Sequence, residues 1–171
     1  MSQLTYDLAI SPLIRALGNL DKILEKAQAY VKENEDIEGA TLCNARLFPN
    51  MAPLTRQIQI ASDAAKGAAA RLSGSEVPSW ADDESTLEEL RERVKKTLNF
   101  VSGFSADDYA DATERDIHMQ LGPYSVDFTG TTYISGFVLP NFYFHVTTAY
   151  NILRHNGLEL GKLDYLGAPG S

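Results

Sequence analysis

Residues Pro140–Gly157 read PNFYFHVTTAYNILRHNG, and the spacing of their side chains says what kind of domain to expect. Phe142, Val146, Ala149 and Leu153 recur at helical intervals and form one apolar stripe. Gly157 suits the position just past a helix end, so the pattern predicts a helix from near Pro140 to Gly157. A second stripe runs beside the first: Asn141, His145, Thr148, Ile152 and His155, with its first three members polar. Polar side chains next to a core stripe suit a helix that faces a cavity inside a bundle, where helical proteins build metal and ligand sites.

Three further helices follow from the same reasoning. Leu13, Leu17, Leu20, Ile23 and Leu24 mark a long amphipathic helix with Ser11 and Pro12 at its start, or an origin near Thr5 with a kink at the proline. A small-sided helix is predicted from Leu54 to Leu72, ended by Ser73-Gly74. A third runs from Leu87 to Val101, capped by Ser85 or Thr86. Thr41–Leu47 reads as a short helix or turn, residues 75–86 as a polar loop, and the tail after Gly157 as irregular. Ile117, Met119 and Leu121, then Tyr124, Val126 and Phe128, alternate with polar residues around Gly122-Pro123 and predict a β-hairpin. The expected fold is all-α: one domain over residues 1–171, a four-helix bundle with a small β-hairpin between helices three and four.

Composition narrows the function. Hydrophobic residues make up 44% and charged residues 22%, a balance that suits a folded globular domain rather than a disordered chain. A net charge of −8 argues against nucleic-acid and anionic-membrane partners, which need clustered cations. Arg91, Arg93, Lys95 and Lys96 alternate with Glu88, Glu89 and Glu92 and read as a solvated helix face. Cys43 is the single cysteine, which fits a reducing compartment; with no cationic leader and no membrane-length apolar run, the expectation is a cytoplasmic protein.

His145 is the leading candidate for chemistry. His155 lies more than two turns further on, too far to share an ion with it. His118 sits on the hairpin's polar face and reads as an exposed strand histidine. Gln59 and Asp63 are one turn apart, with Arg56 just before them, so all three could line a cavity with His145. An Asp63–His145 pair would raise the histidine pKa and supply a general acid or base. The plain alternatives are a packed core histidine and surface ion pairs. Cys43 lacks a visible base and reads as a small buried residue. No HExxH, CxxC or phosphate-loop spacing is present.

Three stretches carry a resemblance: NARLFPNMAPLTRQIQIASDAAKGAAARLSG, TYISGFVLPNFYFHVTTAYNILRHNG and ELGKLDYLG. They resemble an uncharacterised domain family that belongs with the DinB/YfiT-like helical-bundle superfamily. The resemblance implies a DinB-like four-helix bundle, frequently a homodimer. Many superfamily members are metal-dependent, with one histidine on the second helix and an HxxxH pair on the last. His145 matches the second histidine of that pair, Asn141 replaces the first, and a glutamine, Gln59 or Gln57, replaces the second-helix histidine. Arg154 matches a trailing arginine. Neutral amides are poor partners for zinc, nickel or iron, so no cofactor is expected beyond weak divalent binding.

The favoured expectation is a small-molecule enzyme, metal-independent, of lyase, isomerase or cyclase type. His145 and Asp63 would be catalytic, and Asn141, Gln59, Arg56, Tyr143, Asn44 and Arg154 would bind substrate. The alternatives are a non-catalytic ligand-binding or stress-related bundle, and a metal-dependent DinB-like enzyme with degenerate ligands.

Overall fold

The computed structural model describes residues 2–34 and 36–168. A first turn, α1 (Ser2–Thr5), passes through a π-helical turn, Tyr6–Ile10, into the long helix α2 (Ser11–Glu33). Pro12 supplies no N–H, and its ring would crowd the carbonyl four residues back. Widening the turn before it lets the helix continue through the proline. The same device recurs at Pro140. Helix α6 (Gly130–Tyr133) and a π-helical turn, Ile134–Val138, lead into α7 (Leu139–His155), so the last helical run begins at Gly130 and not near Pro140.

Between these come α3 (Gly39–Asn44), α4 (Leu54–Ser73) and α5 (Leu87–Ser102). Thr86, not Ser85, caps α5 through a reciprocal pair with Glu89, and Gly74 ends α4 in the left-handed region at φ 78°. The hairpin is as expected: β1 (Asp116–Leu121) pairs antiparallel with β2 (Tyr124–Thr129), with Leu121 opposite Tyr124. The tail, expected to be irregular, contains one short helix, α8 (Lys162–Leu166).

The four long helices close a ring. Helix α2 packs on α5 and also meets α7, while α4 packs on both α5 and α7. Leu13, Leu17, Leu20, Ile58, Ala61, Ala65, Leu90, Val94, Phe142 and Leu153 fill its interior. The alanines of α4 keep it slim, so neighbours approach from two sides and most of its residues are buried. Gly130, at the hairpin's exit, lies so close to the Ala112 backbone that an added Cβ would strike the Ala112 carbonyl oxygen.

One expectation needs correction. The basic run on α5 is a solvated face only in part: Lys96 and the three glutamates are exposed, but the two arginines are not free in solvent. Arg93 is buried, Arg91 bridges to Asp21 and Glu25 of α2, and Lys95 pairs with Glu92. Among the described residues, no helix is long and apolar enough to cross a membrane.

Candidate functional site

Helix α4 presents residues of opposite character to its two neighbours. Residues two apart on a helix point in nearly opposite directions, so Gln57 and Gln59 cannot serve the same side. Gln57, fully buried, faces α7, and its Oε1 lies 2.6 Å from His145 Nδ1. Its amide nitrogen donates to the Ala52 carbonyl at 2.9 Å, which fixes the amide orientation. The oxygen that faces the imidazole can only accept. His145 therefore donates from Nδ1, and Nε2 carries the lone pair.

His145 is half-buried. Burial, and then the nearby Arg56 cation, hold its pKa below the ordinary histidine value, so the ring is neutral at pH 7. The expected partner, Asp63, would have raised that pKa. Phe144 meets the imidazole edge-on, with ring centroids 5.2 Å apart. Asn141 lies one turn before His145 on the same side of α7, half-buried.

Gln59, Asp63 and Arg56 belong to a different cluster. Gln59 Nε2 donates to Glu84 at 2.9 Å, and Arg56 reaches Gln59 and Asp82. Asp63 accepts from Lys66 at 2.8 Å and from Arg93 at 2.9 Å. At the centre is Arg93, which also donates to Glu84 at 2.9 Å, to Asp82 at 3.1 Å and to the Ala81 carbonyl at 2.8 Å. Trp80 packs beneath these cations, with Lys66 Nζ and Lys96 Nζ each 4.5 Å from its ring centroid. Burial pushes the Asp82 carboxyl upward, but Arg56 and then Arg93 outweigh it and hold the pKa low. The stretch from Gly74 to Thr86 is thus a strap bolted across α4 and α5.

The remaining candidates lie elsewhere. Tyr143, two residues from His145, points toward α2 and α8 and lines a cleft of about 580 Å³ there. Asn44 lines another of about 580 Å³ with Arg46 and His155. Arg154 donates to the Leu158 carbonyl at the end of α7. A cleft of about 280 Å³ lies beside Trp80 and Arg93. None of these three clefts is lined by His145.

A family model described as a domain of unknown function (DUF1993) matches residues 5–166. The chain belongs to the DUF1993 family. This DUF1993 chain also superposes on the crystal structure of a DinB family member protein from Shewanella denitrificans with TM-score 0.90. The two are 40% identical over 99% of this chain and 96% of that one. No curated protein matches. The DinB-like helical fold expected from the resemblance is thereby established.

The superfamily's metal can be tested against the donors this DUF1993 chain carries. Gln57 is the α4 side chain that meets His145, and its oxygen is already engaged by His145 Nδ1. Among the described residues, no three His, Cys, Asp or Glu side chains converge as a metal set. One imidazole among neutral amides does not fit a tightly held transition metal.

Sequence reasoning passed over Trp80, Glu84 and Arg93 as site-forming residues. For Arg93 a signal existed: it lies three residues after Leu90 and four before Thr97, both buried, so it borders the core stripe of α5.

Proposed function

We propose that this DUF1993 chain is a small-molecule enzyme of acid/base type, in which neutral His145 accepts and returns a proton through Nε2. The supporting observation is the relay from the Ala52 carbonyl through Gln57 to His145 Nδ1. It pins one tautomer of a half-buried, neutral imidazole, as a general base near neutral pH requires. In this reading Asn141 holds a substrate oxygen, and Arg56, paired with Asp82 but near enough to lower the His145 pKa, adds positive charge from a distance. Lyase, isomerase or cyclase chemistry suits such a site, because it needs proton transfer and shape but no organic cofactor and no tightly held metal.

Deuterium uptake tests this reading. Wild-type protein incubated in D₂O with a pool of small carbon acids is expected to label at least one of them, and His145→Ala none, while the thermal midpoint stays within a few degrees. Equal labelling by both proteins would contradict it, and a large loss of stability would return His145 to a packing role.

The second reading is a non-catalytic ligand-binding module. It draws support from the two larger clefts, which lie away from His145. A cytoplasmic homodimer completes the proposal: Cys43 is buried as a free thiol, and Leu4 and Leu8, one turn apart, expose an apolar strip. Light scattering of the full chain tests the dimer.

A further inference from the structure

The cleft beside Tyr143 is a more complete binding site than its distance from His145 would suggest. Three elements form it: the first half of the long N-terminal helical run with its π turn, helix α7, and the C-terminal turn around α8. The C-terminal turn is firmly held. Lys26 pairs with Asp164 at 2.6 Å, Thr147 and Tyr165 share a hydrogen bond of 2.9 Å, and Asn19 donates to the Tyr165 carbonyl at 3.0 Å. The wall it forms is therefore in place before any ligand arrives.

The lining is divided in character. Pro12, Leu163 and Leu166 offer apolar surface, and both leucines remain exposed. Arg15 donates Nε–H to the Leu166 carbonyl at 3.1 Å and an Nη2 hydrogen to the Ala168 carbonyl at 3.0 Å. Those two bonds orient the guanidinium along the cleft and leave Nη1 without a partner among the described residues. The half-buried Tyr143 hydroxyl also has no hydrogen-bond partner among them. Arg15 lies near enough to draw the phenol's pKa down, against the dominant upward effect of burial and a further push from Tyr165. Among the described residues, Asp7 is the only carboxylate that lines the cleft.

We infer that this cleft binds a small monocarboxylate with an apolar body, held by Arg15 and Tyr143 and packed on Pro12, Leu163 and Leu166. A carboxylate can accept from a guanidinium and a phenol together, and such charge-assisted bonds are the strong ones. The volume of about 580 Å³ suits a molecule of metabolite size. Asp7 repels a second negative charge, which selects monoanions over dianions. The site is independent of the His145 reading and stands or falls separately.

Amide-detected NMR titration of the full chain with hexanoate, adipate and hexylammonium tests it. Hexanoate is expected to give saturable shifts at the Arg15 side chain and at residues 163–167. Adipate is expected to bind several-fold more weakly, and hexylammonium to leave Arg15 unmoved. Tyr143→Phe, which keeps the ring and removes one bond to a charged group, is expected to weaken hexanoate about tenfold with an unchanged thermal midpoint. Arg15→Gln is expected to weaken it further; should that variant loosen the tail, Tyr143→Phe still decides. The inference is overturned by unsaturable hexanoate shifts, by hexylammonium or adipate binding as well as hexanoate, or by undiminished binding to Tyr143→Phe.

Discussion

Replacing Arg93 with methionine removes the cation at the centre of the strap while keeping most of its apolar stem. The cost follows from which partners are left stranded. Asp63 keeps Lys66 and Asp82 keeps Arg56, and both carboxylates are more than a third exposed, so water and the remaining cations absorb most of their loss. Glu84 is different: its side chain is 11% exposed and, among the described residues, keeps only the Gln59 amide. One buried carboxylate left without its cation costs about 3 kcal/mol, the low end of what breaking a buried pair costs. For a chain of this length that lowers the thermal midpoint by roughly 6–12 °C. Urea denaturation followed by circular dichroism measures the loss. Trp80, the single tryptophan, reports the strap by its emission, which is expected to shift red as the ring leaves Lys66 and Lys96. Adding Glu84→Gln removes the stranded charge and is expected to recover more than half of the lost stability. A loss under about 1 kcal/mol with unchanged emission, or no recovery in the double variant, would refute this reasoning.

Three other outcomes are expected. Gly130→Ala forces a methyl into the Ala112 carbonyl and is expected to cost about 1–3 kcal/mol in chemical denaturation, although alanine is the better helix former. Gln57→Glu places a carboxylate against His145 Nδ1; the His145 pKa is expected to rise above the ordinary value, which histidine NMR titration reads directly. Stability also carries a signature of His145. Its folded pKa is depressed, so its contribution is present above about pH 6.5 and is lost as pH falls through the folded value. Urea midpoints at pH 7 and pH 5 are expected to differ more for wild type than for His145→Asn.

The helices were legible because their information is local. The stripes Leu13–Leu17–Leu20–Leu24 and Phe142–Val146–Ala149–Leu153 repeat at the helical period and are all buried. The hairpin was legible for the same reason, from strict alternation on both sides of Gly122-Pro123. The π-helical turns were not, because a wider hydrogen-bond register leaves no mark on side-chain periodicity; only Pro12 and Pro140 hint at them. The site was half legible. His145 and a glutamine partner could be read, but Gln57 and Gln59 lie on opposite sides of α4, and only the packing of α7 and α5 selects which one meets the imidazole. The strap was opaque: residues 75–86 are polar and read as a loop, while their partners Arg56, Gln59 and Arg93 lie on two other helices. Composition cannot pair side chains that are brought together only by the closed bundle.

At the centre stands His145, a neutral imidazole that donates from Nδ1 to Gln57 and whose Nε2 has no partner among the described residues. Two-bond ¹H–¹⁵N correlation of histidine-labelled protein, recorded across a pH titration, reads tautomer and pKa in one experiment. The expected result is an Nδ1-protonated ring with a pKa below 6.5; an Nε2-protonated ring, or a pKa above that value, would contradict it.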